Sequence, residues 1–315
     1  MSHDDGQHLI DRVYFLYRNG EIQQAYDLLT EAASRYPERE QRLYAWRFNL
    51  AARLGNLDLA EEIIEDALDS GYFYRNLVLI NPEDMQALQG RPFFEALAVR
   101  NGRMLAEAQV YARPQLEIIN AGIEQNGITP LLITLHGANM NLRQYRSNWK
   151  FLAGSDWLAA LPQSSQLGGK DVFVWNDMEL AERELVEHYQ ALGKRSKFIP
   201  EKTVISGFSQ GGRVAVRAAL KQLIPVDHFI LNCPYVPDLE EMAVLLDACQ
   251  KRDLRGYLVL GSEDPSCTPG ALQLQQEFEK RGFKCGVDVI PELHHGFPEN
   301  FPEVFQRALD FVLNH

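Results

Sequence analysis

One stretch constrains the fold of this chain more than any other. Thr203-Val204-Ile205-Ser206 is a short, largely β-branched run, and Gly207-Phe208-Ser209-Gln210-Gly211-Gly212 is too rich in glycine to extend it. Val214, Ala215, Ala218 and Leu220 then recur at helical spacing. A strand that turns sharply into a helix is half of a crossover unit, and the chain repeats that unit from about Gln115 onward. Candidate strands fall at 115–119, 131–135, 171–175, 203–206, 228–231, 256–260 and 285–290. Helical stretches fall at 179–192, 211–223, 239–249, 271–281 and 303–313. This alternation predicts an α/β architecture, a mostly parallel sheet with helices on both faces. Only residues 120–130 separate the first two candidate strands, too few for a helical crossover, so that pair is expected to be antiparallel.

The first third is different. Leu9, Val13, Leu16 and Tyr17, then Ala25, Leu28 and Leu29, recur at helical spacing, and a second helical pair spans 43–54 and 57–67. The two pairs echo each other: Gly55 stands 35 residues after Gly20, and Ala60 stands 35 after Ala25. With Ala32 and Pro37 in the first unit and Ala67 in the second, the segment resembles the tetratricopeptide repeat family. It departs from that family in lacking the aromatic and Leu-Gly signature of the first helix, and Tyr72 stands in place of the final proline. Two repeats are few for a free-standing array, so the region is expected to pack on the rest of the chain, with 81–98 as a short capping helix system. The reading is a small all-α, tetratricopeptide-like domain at 1–105 and an α/β domain at 106–315.

Composition narrows the function classes. The chain has 315 residues, 46% of them hydrophobic, which is ample for a core. Its formal net charge of -12 argues against nucleic acid and anionic membranes, both of which need clustered Lys and Arg. No apolar run approaches a membrane span. The polar start, Met1-Ser2-His3-Asp4-Asp5-Gly6, lacks a basic segment followed by an apolar one, so a cytoplasmic location is expected. Cys233, Cys249, Cys267 and Cys285 form no C-x-x-C pair and are expected to be reduced.

The G-x-S-x-G at 207–211 sits where a nucleophile elbow needs it, between strand and helix. A serine hydroxyl is a weak nucleophile until a base takes its proton, and the base in turn needs an acid to orient it. Downstream of Ser209 the histidines are His228, His294, His295 and His315. His228 opens a strand and His315 ends the chain. The base therefore comes from Glu292-Leu293-His294-His295-Gly296-Phe297-Pro298, and His295 is preferred to the alternative His294 because H-G-F-P before a final helix resembles the catalytic loop of many hydrolases. Gly261-Ser262-Glu263-Asp264-Pro265 directly follows a strand and supplies the acid, Asp264, with Glu263 and Asp238 as rivals. Developing negative charge needs two backbone donors. The Gln210 amide is one, and the loop Leu135-His136-Gly137-Ala138-Asn139 supplies the other, Ala138 first and Asn139 next. His136 precedes the nucleophile and is read as structural. No metal site is expected, because the histidine spacing is not H-E-x-x-H and there is no second cluster.

On these motifs, residues 130–315 resemble the α/β-hydrolase superfamily. The likeness is greatest to the carboxylesterase, phospholipase and acyl-protein thioesterase branch, with some to dienelactone hydrolases. L-H-G at 135–137, G-F-S-Q-G-G at 207–212, G-S-E-D-P at 261–265 and H-G-F-P at 295–298 carry it. The resemblance implies an uncapped or lightly capped site, no cofactor, and cleavage of small ester or thioester substrates through an acyl-enzyme. Ala138-Asn139-Met140-Asn141 departs from the glycine-containing loop of that branch. Trp175 and Tyr235, at the carboxyl ends of two of the candidate strands, are candidate substrate-binding aromatics. The helical region could instead serve a protein partner or self-association, and the alternative to catalysis is a binding scaffold on a hydrolase fold.

Overall fold

The computed structural model describes residues 3–36, 40–77, 82–121, 129–196, 200–249 and 252–314. The chain packs as two compact units: Met1–Tyr111 together with Leu167–Asp171, and Ala112–Gln166 together with Val172–His315.

The first unit holds α1 (His3–Arg18), α2 (Ile22–Ala32), α3 (Glu40–Arg53), α4 (Leu57–Asp69), the short α5 (Pro82–Met85) and α6 (Pro92–Gln109). Each apolar stripe has a partner. Ile10 and Val13 of α1 meet Ala25 and Leu29 of α2 and Trp46 and Leu50 of α3. Phe48 and Ala52 of α3 meet Ala60, Ile64 and Leu68 of α4 and Leu97 of α6. The 35-residue echo has a physical basis. Gly20 (φ +79°) and Gly55 (φ +80°) end α1 and α3 in the left-handed conformation. Past them the chain closes the same way twice: the Glu21 N–H donates to the Leu16 carbonyl at 2.9 Å and the Asn56 N–H to the Ala51 carbonyl at 3.0 Å. Ala25 and Ala60 are both fully buried. Helix α6 runs on past residue 105, so the expected capping system at 81–98 is α5 followed by the first turns of a longer helix. Pro37 and Asn81 lie outside the described residues, as do Met1, Ser2 and His315.

Then follow β1 (Gln115–Ile119), β2 (Thr129–Leu135), α7 (Leu142–Arg146), β3 (Leu158–Gln163), β4 (Leu167–Gly169), β5 (Val172–Phe173), α8 (Met178–Ser196), β6 (Pro200–Phe208), α9 (Gln210–Lys221), β7 (His228–Asn232), α10 (Leu239–Ala248), β8 (Arg255–Gly261), α11 (Thr268–Lys280), β9 (Cys285–Ile290) and α12 (Phe301–Asn314). Seven strands form one sheet in the order β1-β3-β2-β6-β7-β8-β9. Only β1 runs antiparallel. Alternate residues of each strand enter opposite cores. Ile205 and Leu258 pack with Ala181 and Leu185 of α8, Val214 of α9 and Phe278 of α11 on one face. Val204 and Val259 pack with Trp149 and with Val304, Phe305 and Val312 of α12 on the other. Burial on both faces is what a parallel sheet requires. Among the described residues no helix is long and apolar enough to cross a membrane.

Two expectations are corrected. The third sheet strand is Leu158–Gln163, which the sequence reading passed over, and the candidate at 171–175 is only the two-residue β5, outside the large sheet. The antiparallel strand is β1 as expected, but its neighbour is β3 and not β2.

Candidate active site

The carboxyl ends of β6, β7, β8 and β9 carry the residues of interest, the edge where ligands bind in open α/β sheets. Strand β6 ends at Phe208, α9 begins at Gln210, and Ser209 between them has φ 53° and ψ −118°. A non-glycine residue there is strained by about 1–3 kcal/mol, so its surroundings must hold it. They do: the Ser209 N–H donates to the Asn232 carbonyl at 3.1 Å, and the Ser209 carbonyl accepts the Tyr235 N–H at 3.0 Å. The flanking glycines are there for space. A Cβ on Gly207 would lie 2.4 Å from the Gly211 carbonyl, and one on Gly211 would lie 2.3 Å from the Leu135 carbonyl oxygen.

Ser209 Oγ–H donates to His295 Nε2 at 2.9 Å, and His295 Nδ1–H donates to Asp264 Oδ2 at 2.6 Å. Asp264 is 2% exposed, and its other oxygen accepts the Ser266 and Cys267 N–H groups at 3.1 Å each. Burial pushes the Asp264 carboxyl up, but the hydrogen bond and charge of His295, with those two amides, outweigh it and hold the group below the usual carboxylate range. Phe208 lies against the His295 ring, centroids 4.8 Å apart. The rivals are engaged elsewhere. His294 contacts the Glu263 carbonyl at 3.2 Å through Nδ1 and the Glu263 carboxylate at 3.3 Å through Nε2. Asp238 accepts from Arg213 at 2.8 Å and from Arg217 at 3.2 Å.

The remaining candidates separate. Gln210 opens α9, and its side chain is tied down: Oε1 accepts the Trp175 N–H at 3.0 Å and Nε2 donates to Asn176 at 2.9 Å. Ala138 is half-buried, directly before Asn139 at φ 55°. His136 is fully buried, and burial drops its pKa to about 4, so it is a neutral, structural ring. Tyr235 is 40% exposed beside Ser209. Trp175 is corrected: it is 0% exposed, its indole N–H donates to the His136 carbonyl at 2.8 Å, and its ring packs 4.8 Å from that of His136. It is core, with no face for a substrate.

Two neighbours carried no motif. Asn232 Nδ2 donates to the Gly296 carbonyl at 2.9 Å, and Cys233 is buried alongside with its thiol 3.6 Å from the same oxygen. Their one sequence signal is position, at the end of a central strand. Donor atoms of Cys233, Asp264 and His295 lie within 4.8 Å of one another, a grouping that could hold a metal ion. Burial, aided by Asp264, pushes the thiol up to about 12, and a metal would need it deprotonated.

Residues 6–109 match the family model described as the N-terminal domain of A/B hydrolase-like proteins. An uncharacterized protein from Bacillus cereus ATCC 10987 is 28% identical, with 100% of this chain and 99% of that one covered at a TM-score of 0.57. The Bacillus cereus carboxylesterase is 17% identical, with 66% of this chain and 99% of that one covered at a TM-score of 0.50. Zea mays acyl-protein thioesterase 2 is 15% identical, with 65% and 100% covered at a TM-score of 0.51. No curated protein sequence matches the chain. With its mostly parallel seven-stranded sheet flanked by helices, the chain has an α/β-hydrolase fold, preceded by a helical region that matches the A/B hydrolase-like N-terminal domain.

Proposed function

We propose that this protein is a serine hydrolase that cleaves carboxylic ester or thioester bonds through an acyl-enzyme. The observation that carries this reading is the unbroken run of hydrogen bonds from Ser209 Oγ through His295 to Asp264, at 2.9 and 2.6 Å. Such a run gives each group one task. His295 Nε2 takes the hydroxyl proton as Oγ attacks the carbonyl carbon, and Asp264 stabilises the imidazolium that results. The carbonyl π electrons move onto oxygen, where the Gln210 amide, at the positive end of α9, and the Ala138 amide are the proposed donors. The tetrahedral species collapses, and the alkoxide or thiolate leaves with the proton from His295. Water, deprotonated by His295, then releases the acid and restores Ser209. Tyr235, exposed beside the nucleophile, is the proposed wall of the substrate site. The cycle as written uses three side chains, two backbone amides and water.

The test is hydrolysis of a short p-nitrophenyl ester together with labelling by a fluorophosphonate. The wild-type protein turns over and is labelled at Ser209, and Ser209→Ala loses at least about 10³-fold in kcat. Ser209→Ala turning over at the wild-type rate, or a folded wild type that is never labelled, would sink the reading.

A further inference from the structure

We propose that Asn232 is a positioning residue that sets the distance between the nucleophile and its base. The inference rests on the hydrolase reading and adds a residue to it. Asn232 holds both partners at once. Its backbone carbonyl accepts the Ser209 N–H at 3.1 Å, and its side-chain Nδ2 donates to the Gly296 carbonyl at 2.9 Å. Gly296 immediately follows His295, so one rigid residue bridges the strained elbow and the loop that presents the imidazole. The bridge starts from a fixed point. Asn232 ends β7, in register with Phe208 at the end of β6, and it is 3% exposed.

The side chain is otherwise badly served. Its Oδ1 is buried without a hydrogen-bond partner. A stranded acceptor destabilises the fold, so an apolar side chain of the same shape would suit the core at least as well. What the amide supplies, and an apolar group cannot, is its hold on the Gly296 carbonyl. The Cys233 thiol also contacts that oxygen, weakly, at 3.6 Å. Without Asn232 the His295 loop keeps its tie to Asp264 and its ring contact with Phe208 but loses its amide hydrogen bond to β7, whose last residue anchors Ser209. A misplacement on the order of 1 Å between reacting groups costs about 100-fold in rate.

Leucine has the branching of asparagine and no donor, which makes Asn232→Leu the informative variant. It folds with a Tm close to that of the wild type, because relief of the stranded Oδ1 offsets the donor lost to the half-buried Gly296 carbonyl. Its kcat on p-nitrophenyl acetate falls about 10- to 100-fold with KM within about twofold, and its rate of fluorophosphonate labelling falls in parallel. Activity lost without stability is the signature a merely structural residue would not give. Asn232→Ala, which is smaller and cannot clash, is expected to show the same kcat-against-KM split. A folded variant that keeps kcat within about threefold of the wild type overturns the proposal. So does loss of the fold in both variants, since Asn232 would then be holding the core. Wild-type protein with neither turnover nor labelling would instead overturn the hydrolase reading beneath it.

Discussion

Two aspartates, one in each unit, are equally buried and bonded to opposite effect. Asp84 and Asp264 are each 2% exposed. Asp84 accepts from the Tyr17 hydroxyl at 2.6 Å, and Asp264 accepts from His295 Nδ1 at the same 2.6 Å. Behind Asp84 the chain of contacts stops. The Arg53 guanidinium lies 3.5 Å away, and burial together with the carboxylate keeps the Tyr17 phenol protonated well above its usual range. Three helices are pinned, and no group is left able to react. Behind Asp264 stands a ring with a second nitrogen, and that nitrogen reaches a hydroxyl. A buried carboxylate with a short hydrogen bond is therefore not in itself a sign of chemistry. What separates the two is whether the donor can pass a proton on.

Exchanging each carboxylate for its amide tests that contrast most directly. Asp264→Asn loses about 10³- to 10⁴-fold in kcat on a p-nitrophenyl ester, because the amide favours the wrong imidazole tautomer, while the far-ultraviolet spectrum is unchanged. A loss under about tenfold would break the comparison.

The histidines repeat it. Burial drops His136 to about 4 from 6.5, so the unfolded chain binds a proton there that the native state does not. Its contribution to stability is complete above pH 6.5 and declines as pH falls toward 4, by about 1.4 kcal/mol per unit at the steepest. Burial also lowers His188 and His228, which add to the same slope. His136→Gln is expected to flatten the pH dependence of the denaturant midpoint in that window. An unchanged slope would show that the ring is not held neutral.

Asp84→Asn has the complementary outcome to Asp264→Asn. It costs about 1–3 kcal/mol of stability and leaves kcat within about twofold, read by chemical unfolding and the same ester assay. The smallest effects belong to the repeated turns. Gly20→Ala and Gly55→Ala meet open space but must hold a positive φ, and each costs about 1 kcal/mol, equal within error. Unequal costs would mean that the two turns are alike only in shape.

The sharp strand-to-helix turn around Ser209 was legible because three local signals coincide there: a β-branched run, glycines where space is short, and helical periodicity. Chain order and strand ends pointed to Asp264 and His295, and these are the side chains hydrogen-bonded in series to Ser209. Strand β3 was not legible. Leu158-Ala159-Ala160-Leu161-Pro162-Gln163 has no β-branched residue and two helix-forming alanines, and it is a strand because both its faces are buried between β1 and β2. Asp171-Val172-Phe173-Val174-Trp175 has the better strand composition, and it contributes only the two-residue β5. Trp175 looked like a pocket aromatic because of its place at the end of that supposed strand, and only packing against His136 assigns it to the core. Asn232 lay beyond reach of any motif, since its partners, Ser209 and Gly296, are set by sheet order and not by spacing.

Leu167–Asp171 has a practical consequence for how this protein can be taken apart. That short stretch belongs to the helical unit, where the Arg75 N–H donates to the Gly168 carbonyl at 2.8 Å and Tyr74 bridges to Gly169. The polypeptide therefore passes from one unit to the other three times, not once. No single cut yields both pieces whole. Removing the residues up to Tyr111 takes the Arg75 donor from Gly168 and the Gln109 acceptor from Leu167, and expressing them alone takes the Leu167 and Gly168 carbonyls from Arg75. A clean dissection has to excise Leu167–Asp171 along with the helices and rejoin Gln166 to Val172.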